Sequence, residues 1–276
     1  MPRLRWFHDD PRFAVADWSC ASQDTAPDAP EASPSPSIAF TRRGVYRRHV
    51  GSRTLLVDAG TTVVYPQWME YRVSHPLPGG DRSLVVMLTR KALESFGVGR
   101  PPAGHTATSP GSALRIRQVE LAAREKASLA VEELLVQLVS QSLTALSRER
   151  RPVAGRPTTA AAHRRAVERA REFMAARYGE RLTLDDIAGE SGYSVPHLCE
   201  VFPRETGFTL HRYLSRLRLF AALEGLEGPH SLTRLAYQVG FSTPSHFSTA
   251  FRREFGQPPS RLLGSLRSQD VNGLRA

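Results

Sequence analysis

The chain has 276 residues, room for about two domains of ordinary size. Its 41% apolar and 23% charged content is ordinary globular usage and excludes a collagen-like, low-complexity or wholly disordered chain. The net charge of +10 favours polyanions, nucleic acid foremost, but it is spread as +6 over residues 1–160 and +4 over 161–276, so charge alone does not name the binding half.

No window approaches the roughly 18 apolar residues of a bilayer-spanning helix, and no membrane partner is expected. The N-terminal run MPRLRWFHDDPRF lacks an apolar core after its basic residues, which predicts a cytoplasmic protein. Cys20 and Cys199 are the only cysteines, too few for a disulfide framework or a four-thiolate zinc site.

In chain order, Phe13–Trp18 reads as one short strand, and residues 21–37, ASQDTAPDAPEASPSPS, read as a flexible segment without apolar periodicity. From Ser37 to Thr89 the runs SIAF, RTLLVDAG, TTVVYP, MEYRVSH and SLVVML are short, β-rich and punctuated by Gly, Pro and Asp. They predict a small antiparallel barrel or sandwich over 1–95. Residues 97–112 read as a connection. Ala113–Arg124 and Leu129–Arg148 then predict a helical pair within 96–150, the second with Val131, Leu134, Leu135, Leu138, Val139 and Leu146 on one stripe. That stripe fits packing inside the monomer or a homodimer contact. Arg148–Thr159, with two prolines and a glycine, predicts an exposed linker over 151–159 ahead of a domain at 160–276.

That last domain nearly repeats itself. Leu184, Ile187, Ala188, Gly192, Tyr193 and Ser194 align with Leu232, Leu235, Ala236, Gly240, Phe241 and Ser242. After one extra residue, His197, Leu198, Phe202, Arg204, Glu205 and Gly207 align with His246, Phe247, Phe251, Arg253, Glu254 and Gly256. Each copy has the plan of a helix-turn-helix, over about 184–205 and 232–255: a short helix with a buried Ala, a glycine suited to φ > 0, and Ser194 or Ser242 as the cap of a second helix. The segment after Leu210 reads as one long helix of about 25 Å, a length that sets two recognition helices roughly one duplex turn apart.

At these residues the C-terminal part resembles the DNA-binding domain of the AraC/XylS family of bacterial transcription factors, above all in GFSTPSHFSTAFRREFGQPPSRL. The stretch FTRRGVYRRH…YPQWMEYRVSHPLPGGD is similar to the cupin-like sensor domain of some members. The resemblance implies an α+β chain: an N-terminal small β-barrel with a helical pair, and a C-terminal all-α domain with two helix-turn-helix motifs joined by a long helix. It also implies a transcriptional regulator of double-stranded promoter DNA, with RNA polymerase, a small-molecule effector and a second copy of the chain as further partners. The groove-facing positions carried over are Pro244, Ser245, Ser248 and Thr249, with Arg252 and Arg253 toward phosphate. In the first copy they are Ser194, Val195, Pro196, Cys199 and Glu200, with Arg204. Glu200 and the helix-interior Pro203 depart from the family pattern and point to the second copy as the main source of specificity.

Tyr65, Trp68, Glu70, Tyr71 and His75 cluster in one segment and read either as the lining of an effector site or as core aromatics. His49, His75 and His105 are widely spaced with no His-x-His, so neither a metal nor another cofactor is expected. A DNA-repair enzyme with a similar helical module would need a cysteine in a ligand cluster, which neither Cys20 nor Cys199 offers along the sequence, so no enzyme is expected. The open alternative is a ligand-independent regulator whose β-domain only dimerises or contacts a protein partner.

Overall fold

A computed structural model describes residues 3–21, 25–148, 157–228 and 230–272. The chain divides into two compact units, Met1–Arg150 with Ser260–Ala276, and Arg151–Pro259. It is a mixed α/β molecule with a helical helix-turn-helix unit.

The first unit contains β1 (Arg3–Asp9), β2 (Phe13–Cys20), β3 (Glu31–Ala32), β4 (Ser37–Val50), β5 (Arg53–Asp58), β6 (Thr61–Tyr65), β7 (Glu70–Ser74) and β8 (Asp81–Leu88). They are followed by α1 (Arg90–Ser95), β9 (Gly104–Ala107), α2 (Pro110–Arg124) and α3 (Ser128–Arg148). The antiparallel order is β1-β2-β8-β4-β6-β9, with β5 and β7 on β4 and β3 on β7. Among the described residues no ladder joins β1 to β9, so the expected barrel is not closed. The 14-residue β4 explains the shape: Ser37–Gly44 pairs with β8, a bulge falls between Thr41 and Arg43, and Val45–Val50 pairs with β5. One strand thereby serves four ladders, with β6 and β8 along its first part and β5 and β7 along its second.

Period-two alternation sorts the side chains into two layers. Phe13, Val15, Ile38, Phe40, Leu84, Val86 and Leu88 face one way and form the main core with Ala92, Leu93, Ile116, Val119, Val131, Leu135, Leu138 and Val139 of α1 to α3. Their neighbours Ala39 and Val85, with Tyr46, Val57, Val63, Tyr65, Tyr71 and Val73, gather on the opposite side. The helical stripe of α3 is therefore used inside the unit. By length and composition α3 alone among the described helices suffices to cross a membrane, but these buried residues mark it as a core helix. Arg42 pairs with both Asp17 and Glu120, Arg82 with Asp17, and Arg117 with Glu120, a charged seam between the sheet and α2.

Three segments differ from the sequence reading. The 21–37 segment, expected to be flexible, lies along the sheet: β3 pairs with β7, and the Asp28, Trp68 and Ser33 N–H groups donate to Val73, Ser33 and Met69 carbonyls at 2.8, 2.7 and 3.3 Å. Prolines leave extended backbone whose other amides still pair with an edge, which composition does not reveal; residues 22–24 lie outside the described set. β9, in the expected connection, pairs with β6 and extends the β-region past residue 95. β1 was hidden by its alternation of Arg with apolar residues on an exposed edge.

The second unit contains α4 (Pro157–Arg177), α5 (Leu184–Ser191), α6 (Val195–Thr206), α7 (Leu210–Gly225), α8 (Leu232–Gln238) and α9 (Pro244–Phe255); α10 (Pro259–Asn272) follows. Of the expected linker 151–159, residues 151–156 lie outside the described set, and α4 begins at Pro157. α7 matches the predicted long helix and ties the unit together. Its Arg216 pairs with Glu254 of α9 at 2.5 Å. Arg218 donates through Nε to the Tyr178 carbonyl and through Nη2 to the Glu180 carbonyl, both at 2.7 Å, just past the end of α4. The same turn abuts Gly240, where a Cβ would lie 2.6 Å from the Tyr178 oxygen and φ is +89°. No side chain fits there.

Candidate nucleic-acid interface and internal cavity

Both helix-turn-helix motifs have the geometry their sequences imply. The turn glycines, Gly192 and Gly240, sit at φ +73° and +89°. In the first motif α5 opens with a capping box: the Asp186 N–H donates to Thr183 Oγ1 at 3.2 Å and the Thr183 N–H to Asp186 Oδ2 at 2.8 Å. The Thr183 hydroxyl, donating to Asp186 Oδ2 at 2.7 Å, and then the Thr183 N–H hold the Asp186 carboxyl below its usual range. α6 buries Leu198, Val201 and Phe202 against α4, α5 and α7. Ser194 stands at its N-cap but makes no side-chain cap bond. Pro203 lies inside the helix, whose last turn closes with the Gly207 N–H on the Pro203 carbonyl at 2.9 Å.

In the second motif the cap is Thr243 rather than the expected Ser242: Thr243 Oγ1 accepts from the His246 N–H at 3.1 Å. The extra residue between the copies thus falls before the cap, so Ser194 corresponds in structure to Thr243. α9 buries Phe247, Phe251 and Phe255, linked by ring contacts at 5.7 and 4.6 Å and continued by Phe241 at 5.4 Å from Phe247. This core is aromatic where that of the first motif is largely aliphatic.

Burying these faces leaves the other faces to solvent. On α9, Ser245, Ser248, Thr249, Arg252 and Arg253 are exposed and Pro244 is half-buried in the first turn. On α6, Pro196, Cys199, Glu200 and Arg204 are exposed, as is Ser194, while Val195 is half-buried. The two faces differ in charge. Glu200 and Arg204 form an i,i+4 ion pair at 2.8 Å, so the first face is internally neutralised. Arg252 and Arg253 have no carboxylate partner among the described residues, so the second face presents net positive charge.

In the first unit a cavity of about 310 Å³ opens on the sheet side opposite the helices. Of the five residues expected to line an effector site, Tyr65, Tyr71 and His75 do; Trp68 and Glu70 do not. The reason is the pleat: on β7, Tyr71 and Val73 face the cavity, so Glu70 and Arg72 point away and are exposed. Trp68, 68% exposed with φ +59°, belongs to the preceding turn. The lining also includes Leu4 and Trp6 from β1, missed because that strand was unseen, and Trp18 from β2, whose place beside the cavity comes from strand pairing rather than from spacing. Tyr46 and Tyr65 share a hydroxyl hydrogen bond at 3.2 Å, and burial raises the hydroxyls of all three tyrosines, those of Tyr46 and Tyr71 well above the ordinary range and that of Tyr65 in the same direction. Behind Tyr65, the Arg48 guanidinium stacks 5.2 Å from the ring centroid, and its Nε and Nη1 find no hydrogen-bond partner among the described residues. Cys20, His75 and Asp81 meet at the polar end of the cavity. Spacing along the sequence gave no hint of this trio, which is assembled from β2, β8 and the turn after β7.

Residues 187–265 match a family model described as a helix-turn-helix domain. An 88-residue stretch is 38% identical to the HTH-type transcriptional activator RhaS of Salmonella schwarzengrund, covering 32% of each protein. The chain thus matches about a third of the length of the curated relatives. Among solved structures, a transcriptional regulator with an AraC-type DNA-binding domain from Chromobacterium violaceum is 29% identical with a TM-score of 0.36, over 38% of this chain and 96% of that one. ToxT of Vibrio cholerae O395 is 14% identical with a TM-score of 0.41, over 92% and 98%. At such TM-scores neither likeness bears on the architecture.

Proposed function

We propose that the chain is a sequence-specific transcriptional regulator of the AraC/XylS type that binds double-stranded promoter DNA with both motifs, a reading that starts from the helix-turn-helix domain matched over residues 187–265. The observation that carries this reading is the pair of successive motifs in one unit, each with its apolar face buried and a polar recognition-helix face in solvent. Ser245, Ser248 and Thr249 reach base edges with Pro244 in apolar contact, while Arg252 and Arg253 hold phosphate. Ser194, Val195, Pro196, Cys199, Glu200 and Arg204 make the corresponding face of the first motif. Its contribution to affinity is smaller, because Glu200 occupies Arg204 and repels the backbone.

The N-terminal unit is a cupin-like sensor whose cavity takes a small, largely apolar effector anchored by tyrosine hydroxyls. The volume is at the lower end of ligand pockets, and Tyr65, Tyr71 and His75 remain the effector residues while Trp68 and Glu70 leave the set. The second reading, a β-unit used only for dimerisation or contact with a protein such as RNA polymerase, is favoured by apolar side chains left outside the core, Leu129 at 82% exposure and Val136 at 36%. The protein acts in the cytoplasm and performs no catalysis under either reading.

The test is binding of the full chain to its own upstream DNA and to scrambled DNA across salt concentrations. A preference of about 10³-fold or more supports the proposal. Equal binding to both, with no motif returned by a genome-wide selection, overturns it. If Ser248→Ala with Thr249→Ala leaves operator preference intact while Glu200→Ala abolishes it, the ranking of the motifs is reversed.

A further inference from the structure

We infer that Cys20, His75 and Asp81 form a binding site for a borderline-soft divalent cation, Zn²⁺ by donor chemistry, at the polar end of the cavity. Cys20 and Asp81 are directly opposed partners in the β2–β8 ladder, so register alone places their side chains side by side. His75 Nε2 lies 2.9 Å from Asp81 Oδ1, and one ligand atom from each of the three residues falls within 4.8 Å of the others. Tetrahedral zinc with nitrogen and oxygen ligands near 2.0–2.1 Å and sulfur near 2.3 Å spaces its ligand atoms about 3.3–3.6 Å apart. Side-chain rotation on the order of an ångström closes the set.

Among the described residues the His75 ring is anchored through Nε2 alone. His75 is 1% exposed, yet its Nδ1 has no hydrogen-bond partner among the described residues. The cation takes Nε2 in place of its hydrogen bond to Asp81, and with no bond on Nδ1 nothing holds the ring against the small rotation this needs. The backbone enforces the assembly. A Cβ on Gly80 would lie 1.8 Å from the Cys20 carbonyl oxygen, and one on Gly44 would lie 2.0 Å from the Gly80 oxygen. The segment carrying His75 and Asp81 is pressed against the end of β2 by two contacts that tolerate only glycine. Thiolate, imidazole and carboxylate together suit zinc and exclude magnesium or calcium, which take oxygen donors. Three protein ligands leave the fourth position facing the cavity. The other grouping of this kind among the described residues, His8, Asp10 and Glu132, has its donors engaged: Asp10 accepts the Arg12 and Phe13 amides and Glu132 pairs with Arg12.

The site stands independently of the effector reading, because its test involves no DNA and no organic ligand. The full chain, stripped with a chelator, is titrated with Co²⁺ and followed by visible absorbance, then with Zn²⁺ against a chromophoric chelator. The expected result is one equivalent bound with a thiolate-to-cobalt charge-transfer band. Cys20→Ser, a one-atom change, removes that band and weakens Zn²⁺ by about tenfold or more, as does His75→Gln, whereas Cys199→Ser changes neither. In the unmutated chain, Zn²⁺ slows alkylation of Cys20 but not of Cys199, a readout that survives if the variants fold poorly. No charge-transfer band, a band retained in Cys20→Ser, a band lost in Cys199→Ser, or alkylation of Cys20 indifferent to Zn²⁺ overturns the inference.

Discussion

The two helix-turn-helix motifs share a plan and differ in how each is held. The first rests on an aliphatic core backed by α4 and starts with a capping box, but its recognition helix has an idle N-cap serine, an internal proline and a face neutralised by the Glu200–Arg204 pair. The second has a chain of phenylalanine rings, a working threonine cap and two arginines without carboxylate partners among the described residues. Similar sequences thus differ in their internal support and in the charge of the helix face they expose. The first motif invests in its scaffold helix, the second in its recognition helix.

The largest expected effect breaks the second core. Phe251→Ala, at a fully buried position, should cost about 3–5 kcal/mol in urea unfolding. Hydrogen exchange should show protection falling in α8 and α9 before α5 and α6; uniform loss would mean that the motifs do not differ in support. Next, Arg252→Ala with Arg253→Ala should flatten the slope of log affinity against log salt by about 2, while Arg204→Ala should change it by much less than 1, since Arg204 is already paired. Equal slopes would erase the contrast between the faces. Glu200→Gln should tighten DNA binding several-fold at low salt by freeing Arg204, with an unchanged thermal midpoint, because an exposed i,i+4 pair contributes only about 0.3–0.5 kcal/mol. Weaker binding would instead make Glu200 a base reader. The smallest effect concerns the caps: Thr243→Ala should cost about 1 kcal/mol and Ser194→Ala only a few tenths, measured by chemical denaturation.

What the sequence disclosed follows from the range of the interactions that fix each feature. The motifs were legible because capping, turn glycines and i,i+4 burial are local, and a repeat exposes them twice. Even so, Ser242 was read in place of Thr243, since a one-residue insertion beside a cap leaves no local mark. The N-terminal unit is built from contacts between distant segments. β1 and the strand-lining run near Glu31 lacked apolar periodicity because edge strands draw on backbone pairing more than on burial. Of the cavity residues, Tyr65, Tyr71 and His75 were within reach of a cluster argument. Trp68 and Glu70 were included only because proximity along the chain says nothing about which side of the pleat a residue takes. The Cys20, His75 and Asp81 trio was beyond reach because register, not spacing, brings it together.

The contact between Arg218, the turn after α4 and Gly240 bears on how such a domain can be recombined. Because the end of the first motif's support helix is also the wall against which the second motif turns, a chimera joined within α7 would pair each half with an unfamiliar surface. A graft taken from the start of α4 carries both halves of the joint. The heritable part is therefore the pair of motifs with α4, and under the proposed function new operator preferences are to be sought by changing exposed residues on α9 rather than by exchanging single motifs.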